Sequence, residues 1–256
     1  SLYENFDLLD AQNFYVSPGL IDIHIHGGVG CNFLDCSEED ILRLKKDLSR
    51  HGITSIVPTV LTAPMEELKQ SLSFLAEYID NQEDDLPRFL GINLEGPFIS
   101  NKFPGIHPIQ DLQVLNESKL EELLTNHTKI VTIAPELDPK GVFTRLLTSK
   151  EIIVGLGHSN ASYEETLKSI DNGARLIVHL YNAMKGLHHR DSSILLAALT
   201  NDSVYVELIT DGIHVLPEAV RVAIKSKPED KIILVSDAIP LRGNPEGDYY
   251  VGDQKI

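Results

Sequence analysis

The chain has 256 residues, 42% of them hydrophobic, and a formal net charge of −16 at pH 7. A chain of this length can bury one large core, and barrels of this size are commonly single domains. Because nucleic acid and anionic membranes repel an acidic surface, the charge argues against both as partners. An anionic small substrate would need local positive charge, from a metal ion or a few basic side chains.

Targeting and redox signals are few. We find neither a secretory signal peptide nor an apolar stretch long enough to span a membrane. The two cysteines, Cys31 and Cys36, have neither metal-type spacing nor a disulfide framework, which indicates reduced thiols. We therefore expect a cytoplasmic protein. Since the chain begins with Ser1 rather than Met, we also expect that an amino-terminal piece is missing.

Short runs rich in Ile, Val and Leu alternate with longer amphipathic stretches along the whole chain. Nearly continuous apolar runs are typical of parallel strands that are buried on both faces. The predicted strands are 19–26, 54–60, 89–95, 130–136, 152–158, 175–182, 204–210 and 231–237. The predicted helices are 38–50, 64–81, 116–127, 139–149, 161–173, 191–201 and 216–226, and Ser37 with Asp40 forms a capping-box pattern before the first.

Eight strands separated by seven helices predict an α/β fold whose sheet closes into a (β/α)8 TIM-like barrel. The main alternative is an open doubly wound sheet, but no glycine-rich dinucleotide turn follows any strand. We expect the barrel to span 17–240, with its last helix missing. Residues 1–16 would form part of a small accessory β-domain, incomplete here, and 241–256 a β-hairpin arm or a return to that domain.

Residue types that bind metals end five of the predicted strands. Side chains two apart in a strand point the same way, so the imidazoles of His24 and His26 face one point. In a barrel the carboxyl ends of the strands form one rim, where active sites lie. Imidazole and carboxylate groups are ligands of zinc. The pattern predicts a divalent-metal site from His24 and His26 of the first strand, Glu95 of the third, His158 of the fifth and His179 of the sixth, with Asp237 of the eighth beside it.

Six segments carry a resemblance to a known family: PGLIDIHIHG, LEGPFIS, GLGHSNAS, VHLYNAMKGLHHR, TDGIHV and LVSDA. Together they resemble the N-acetylglucosamine-6-phosphate deacetylases of the amidohydrolase superfamily, from about Pro18 to Asp237. The HxH strand and the final Asp are shared across the superfamily, whereas LEGPF and HLYNAM are more particular to the deacetylases. The resemblance implies a barrel of the metal-dependent hydrolase type and a homodimer.

The resemblance also implies which residues bind metal. Glu95, His158 and His179 would hold the principal ion, and His24 and His26 occupy positions that bind a second ion in some members. We expect one or two divalent ions per subunit, zinc or iron, with Glu95 as a bridge if two are bound.

The resemblance implies a catalytic role for Asp237 as general base and then general acid. A divalent ion can lower the pKa of water from 15.7 to roughly 7. Asp237 would take the proton of that water as hydroxide attacks the amide carbonyl, and would return it to the departing amine. His214 would help to polarise the carbonyl oxygen. The products would be acetate and an amino sugar phosphate.

The implied substrate pocket accepts a phosphorylated amino sugar. Arg190 suits phosphate because its guanidinium offers a planar fork of donors, although a solvated loop charge explains it equally well. There is no Walker-type glycine loop, so side chains and loop amides would hold the phosphate. The residues implied to line the pocket are Ile106, His107, Asn182, Ala183, Arg190, Asp211 and His214.

Two other functions stay open. A cyclic-amide hydrolase of the same superfamily, such as a dihydroorotase-like enzyme, would typically carry a bridging lysine where this chain has Glu95. A non-catalytic sugar-phosphate sensor would have no need of a base at Asp237.

Overall fold

A computed structural model describes residues 10–82, 85–245, 247–251 and 254–255. Its main sheet contains eight parallel strands that pair in chain order, so each strand lies beside the next one in the sequence. The strands are β1 (Leu20–Ile25), β2 (Ile53–Val60), β3 (Ile92–Glu95), β4 (Thr128–Ile133), β5 (Ile153–Leu156), β6 (Leu176–Ile177), β7 (Tyr205–Leu208) and β8 (Ile232–Leu234). A short strand, Arg88–Phe89, also pairs with β2.

The segment after β8 joins the sheet back to β1. The backbone N–H of Asp237 donates to the carbonyl oxygen of His24 at 2.9 Å, and Ala238 accepts from the N–H groups of His26 and Gly27 at 2.8 and 3.1 Å. The segment after β8 therefore closes the sheet onto β1, which confirms the predicted α/β barrel.

In the described ranges, seven α-helices connect the strands and cover the outside of the barrel. Ser37 and Asp40 form the predicted capping box, in which each side chain accepts a backbone N–H. Ser162 and Glu165 form a second capping box before the fifth helix. The helices are α1 (Glu38–Arg50), α2 (Met65–Asn81), α3 (Glu117–Leu123), α4 (Val142–Ser149), α5 (Tyr163–Asp171), α6 (Ile194–Thr200) and α7 (Pro217–Ser226).

Several predicted strands are too long at their carboxyl ends. The predicted strand 175–182 is a strand only over Leu176–Ile177. The last two residues of the predicted strand 130–136 belong instead to a 3₁₀ helix, Pro135–Leu137. His158, His179 and Asp237 have φ values of 45°, 28° and 49°, a left-handed conformation that a strand does not tolerate. These three residues therefore lie in the loops that leave the barrel, not in the strands.

The core has two layers. The larger cluster packs the helices against the outward side chains of the strands. A smaller cluster contains Val57, Ile130, Leu176 and Val178 with Ile23 and Ile233 beside them. Since these residues come from strands around the whole barrel, they meet in its interior, as in other barrels of this kind.

The chain ends contain little described structure. Residues 1–9 lie outside the described residues, and Tyr250–Val251 pairs antiparallel with Gln254–Lys255. The assignment of 1–16 and 241–256 to an accessory domain stays a prediction. Cys31 and Cys36 are free thiols. Among the helices in the described ranges, none combines the length and the apolar character needed to cross a membrane.

Candidate metal centre

One carboxylate oxygen, Glu95 Oε1 at the end of β3, contacts two imidazoles. It lies 3.1 Å from His158 Nε2 and 2.9 Å from His179 Nε2, and those two nitrogens are 3.0 Å apart. His158 lies in the loop after β5 and His179 in the loop after β6. The side chains of Glu95, His158 and His179 are all buried. The structure therefore brings together the three residues predicted to hold the principal ion.

The spacing of these three atoms fits a metal ion. Ligands about 2.0–2.1 Å from one tetrahedral ion lie about 3.3 Å from each other, close to the three distances observed here. The other ring nitrogen of His158, Nδ1, lies 2.9 Å from the carbonyl oxygen of Phe103. Because a carbonyl only accepts, Nδ1 carries the proton and leaves the lone pair of Nε2 for a ligand role.

A second set of groups surrounds the other side of Glu95. His26 Nε2 lies 3.2 Å from Glu95 Oε2 and 3.2 Å from Asp237 Oδ1. His24 Nε2 lies 3.5 Å from Glu95 Oε1 and 3.5 Å from Asp237 Oδ1, and it has no hydrogen-bond partner among the described residues. His24, His26 and Glu95 thus form a second group able to hold a cation, sharing Glu95 with the first.

Buried charges shift the pKa values in this centre. Burial disfavours the imidazolium of His26, but hydrogen bonds with Asp237 and Glu95 outweigh it and raise the pKa to about 9. Burial also disfavours ionised Glu95, yet His24 and His158 hold its pKa well below the usual range. The pKa of Asp237 is lowered in the same way, by His24 and His26 against burial. The carboxylates of Glu95 and Asp237 thus favour protonation of the imidazoles that face them. A divalent cation can take the place of those protons.

His107 contacts the same centre but in a different protonation form. The backbone N–H of Thr62 donates to His107 Nδ1 at 3.3 Å, so the ring proton sits on Nε2, which lies 3.4 Å from Glu95 Oε2. Burial lowers the pKa of His107 to about 4, which keeps the ring neutral. His107 lies close enough to Glu95 and His158 to complete a ligand group. With its proton on Nε2, however, it is a hydrogen-bond donor into the site.

A cavity of about 590 Å³ opens above the centre. His26, Glu95, His158, His179 and Asp237 form part of its wall, and Asp237 is 23% exposed, which makes its carboxylate accessible from the cavity. The predicted pocket residues that line it are Ile106, His107, Asn182, Ala183, Asp211 and His214.

Arg190 does not line this cavity. The side chain is exposed in the loop between β6 and α6, and the backbone N–H of Arg190 donates to His188 Nδ1 at 3.3 Å. In the same loop, Lys185 pairs with Asp191 at 2.9 Å. Within the described part of the chain, no contact joins Arg190 to the site, and its predicted phosphate role rests on the sequence resemblance.

Two residues at the site were missed by the sequence analysis. Glu207 is fully buried in β7 and lies 2.8 Å from His24 Nδ1. The sequence feature that could have identified Glu207 is a single carboxylate inside the apolar run VYVELIT. Because unpartnered charges are rarely buried, such a carboxylate is expected to have a partner. Arg242 lines the cavity from the loop after β8 and pairs with Asp47 of α1. No sequence pattern marks Arg242, because it reaches the site through a loop.

The strand order and the buried histidine–carboxylate centre define an α/β-barrel protein with a candidate cation site, and the comparisons with known proteins identify its family. The Amidohydrolase family matches residues 15–246, and the chain belongs to that family. Two relatives are an N-acetylglucosamine-6-phosphate deacetylase of Vibrio furnissii, 36% identical over 242 residues, and an N-acetylgalactosamine-6-phosphate deacetylase of Escherichia coli O157:H7, 34% identical over 242 residues.

Solved structures with a similar fold include proteins of the same kind. An N-acetyl-D-glucosamine-6-phosphate deacetylase of Mycobacterium smegmatis, solved with N-acetyl-D-glucosamine-6-phosphate, is 30% identical and superposes with a TM-score of 0.87 over 93% of this chain and 62% of its own. The two relatives are each matched over 93% of this chain, which spans 60% and 64% of their length.

Proposed function

We propose that this protein hydrolyses the N-acetyl amide of N-acetylglucosamine-6-phosphate to glucosamine-6-phosphate and acetate, a step of amino-sugar catabolism and recycling. The observation that carries the proposal is the shared carboxylate of Glu95, with imidazoles on both oxygens and Asp237 beside them under an open cavity. The similarity to deacetylases over 93% of the chain supports the choice of substrate.

We propose that the centre holds one or two divalent ions per subunit, zinc or iron. Glu95, His158 and His179 would hold the principal ion, and His24 and His26 a second one. A bound ion supplies Lewis acidity, which lowers the pKa of water to roughly 7 and makes hydroxide available at neutral pH. Imidazole suits both zinc and iron, so metal analysis of the purified protein identifies the ion.

Asp237 would act as the general base and then the general acid. Its pKa is lowered, so the carboxylate is ionised at neutral pH and can accept a proton from the attacking water. The carbon–oxygen bond then forms at the amide carbonyl. Breaking the carbon–nitrogen bond requires a proton on the amine, and Asp237 returns the one it took.

Two histidines would stabilise the charge that develops on the carbonyl oxygen. His107 has its Nε2 proton on the side of Glu95 and can donate it to an oxygen in the cavity. His214 lines the same cavity, and its Nδ1–H donates to Asp211 Oδ2 at 2.7 Å, which orients the ring. To donate to the carbonyl oxygen through Nε2, His214 would act in its doubly protonated imidazolium form. Ile106, Asn182 and Ala183 would line the sugar site.

An acetate-release assay tests the proposal. With N-acetylglucosamine-6-phosphate we expect turnover that a chelator abolishes and added zinc or iron restores. N-acetylgalactosamine-6-phosphate is the second substrate to test, because one relative acts on it by name. Hydrolysis of a cyclic amide instead would favour a dihydroorotase-like enzyme. Tight binding of the sugar phosphate without acetate release in the metal-loaded protein would favour a sensor.

Phosphate recognition by Arg190 is tested separately. If Arg190 binds the phosphate, Arg190→Ala raises KM about 10-fold or more for the phosphorylated sugar and leaves KM for N-acetylglucosamine unchanged, as expected for the loss of a charge-assisted hydrogen bond. Arg221→Ala, at an exposed arginine of α7, is the control. Equal changes of KM for the two sugars would remove Arg190 from the phosphate site.

We also propose that the protein is cytoplasmic, and that it is a homodimer, as the family resemblance implies. Light scattering with size exclusion on the purified protein measures its mass in solution, and a monomer at micromolar concentration would contradict the dimer.

A further inference from the structure

A buried carboxylate, Glu207, lies behind the metal centre rather than in its cavity. It occupies the middle of β7 with 0% exposure, and one oxygen, Oε2, makes both of its contacts. The other oxygen, Oε1, has no hydrogen-bond partner among the described residues. A buried carboxylate with one unpaired oxygen destabilises a fold, so its place in an otherwise apolar strand calls for a functional reason.

The first contact of Glu207 determines the tautomer of His24. Oε2 lies 2.8 Å from His24 Nδ1. An ionised carboxylate only accepts hydrogen bonds, so Nδ1 must carry the ring proton. In the neutral ring, which is the form that binds a cation, the lone pair then sits on Nε2. This atom faces Glu95 and Asp237 at 3.5 Å and has no hydrogen-bond partner among the described residues.

The second contact fixes the carboxylate itself. The backbone N–H of His179 donates to the same Oε2 at 3.0 Å. Since that N–H belongs to a residue held at a φ of 28° in the loop after β6, Oε2 is anchored between the two histidines and cannot turn away from His24.

We infer that Glu207 is a positioning residue of the metal centre, which holds His24 in the tautomer and orientation that present Nε2 to a cation. The inference rests on the proposed function, because it concerns the centre that would carry out that reaction. Outer carboxylates of this kind typically contribute 10–100-fold to metal affinity.

Zinc binding tests the inference without any substrate. In a competition titration with a chromophoric chelator, we expect Glu207→Gln to weaken zinc binding about 10-fold and Glu207→Ala about 100-fold. The amide of Glu207→Gln keeps an acceptor for the His179 N–H, so we expect the metal-free variant to fold with a circular dichroism spectrum like that of the unsubstituted protein. Unchanged zinc affinity in a folded Glu207→Gln variant would overturn the inference.

A double-mutant cycle separates positioning of His24 from a general structural role. In a His24→Asn background the ring that Glu207 orients is gone, so adding Glu207→Gln should change the remaining zinc affinity less than about twofold. If Glu207→Gln weakens zinc binding equally in both backgrounds, Glu207 does not act through His24 and the inference fails.

Asp138→Asn is the matched control. Asp138 is also buried, but its carboxylate accepts from Val142 and Thr144 at the start of α4, and no hydrogen bond within the described ranges joins that carboxylate to the metal centre. We expect Asp138→Asn to lower the melting temperature and to leave zinc affinity unchanged. A loss of zinc affinity like that of Glu207→Gln would mean that destabilisation alone explains the effect, and would overturn the inference.

The zinc titration also distinguishes failure of this inference from failure of the proposed reaction. A protein that fails to release acetate but shows the Glu207-dependent zinc binding would contradict the proposed function and not this inference.

Discussion

Three of the functional side chains depend on backbone conformations that their residue types rarely adopt. His158, His179 and Asp237 all have positive φ values, and each such conformation costs roughly 1–3 kcal/mol. Each is held by a hydrogen bond: His158 Nδ1 to Phe103, the His179 N–H to Glu207, and the Asp237 N–H to His24. The surrounding barrel therefore stabilises the conformations that turn these side chains inward.

Asp237→Asn should bind metal and substrate but lose most of its turnover. An amide is close in shape to the carboxylate but cannot accept the proton of the attacking water, and general acid–base catalysis typically contributes 10²–10⁴-fold. We therefore expect kcat in the acetate assay to fall about 10²–10⁴-fold. Asp202→Asn, at an exposed turn, should retain full activity. Near-normal kcat in the metal-loaded Asp237→Asn variant would remove Asp237 from its role.

Lys45 is a charged residue buried away from the metal centre. Its side chain is buried in α1, with Nζ 4.8 Å from the ring centroids of Tyr78 and Phe89, and burial lowers its pKa to about 8. The folded protein therefore binds fewer protons than the unfolded chain between pH 8 and about 10.4, so this group makes stability rise with pH across that window.

We expect Lys45→Met to be more stable than the unsubstituted protein by about 1–3 kcal/mol at pH 7, because Met fills the same space without a buried charge. The difference should shrink toward pH 10. Urea denaturation at several pH values measures it, with Lys46→Met at the exposed neighbouring position as the control. A destabilised Lys45→Met variant at pH 7 would show that the contacts to the two rings outweigh the cost of burial.

At the scale of elements, the site residues are positioned both by the loops after the strands and by the helices that follow those loops. The loop after β5 carries His158, and α5 then begins at a capping box in which Ser162 accepts from the Glu165 N–H at 3.1 Å and Glu165 accepts from the Ser162 N–H at 2.8 Å. Glu136 in the preceding loop accepts from Ser159 and Asn160 at 2.7 Å each. The backbone that follows His158 is thereby fixed.

Ser162→Ala should destabilise the protein by about 1 kcal/mol, because it removes the side-chain acceptor for the first turn of α5. Urea denaturation measures the free energy of unfolding. Ser118→Ala, inside the exposed first turn of α3, should change it by less than about 0.5 kcal/mol. Equal effects of the two substitutions would contradict a specific capping role for Ser162.

At the scale of the whole molecule, barrel closure concentrates charge in an otherwise apolar interior. Five buried imidazoles among the described residues, those of His24, His26, His107, His158 and His179, converge on one rim with the carboxylates of Glu95 and Asp237, while the chain as a whole carries a formal charge of −16. The proposed substrate, an anionic sugar phosphate, would be repelled by such a surface, so attraction would have to come from the cavity itself, where the proposed cation would supply positive charge.

Removing the metal should lower the melting temperature. An ion that binds only the folded state stabilises it by about 4 kcal/mol at a thousandfold excess over Kd, and for a chain of this size 1 kcal/mol corresponds to about 2–4 °C. We therefore expect a chelator to lower the melting temperature by about 10 °C, measured by calorimetry, and added zinc to restore it.

The control for this experiment is His158→Ala, which removes one ligand of the principal ion. Its melting temperature should respond much less to the chelator. A melting temperature of the unsubstituted protein that is indifferent to chelation would contradict a resident ion.

Local sequence determined the elements and the types of residue at their ends. The apolar runs, the Ser37 capping box and the two-residue spacing of His24 and His26 act over a few residues, so strands, helices and facing imidazoles were predictable without coordinates. Only the tertiary structure decided the rest. Glu207 meets His24 across 183 residues of chain, Arg242 reaches the cavity through a loop, and Arg190 lies outside the cavity lining. Such contacts depend on strand register and loop paths around the closed barrel, which are set by packing of the whole chain and leave no local pattern in the sequence.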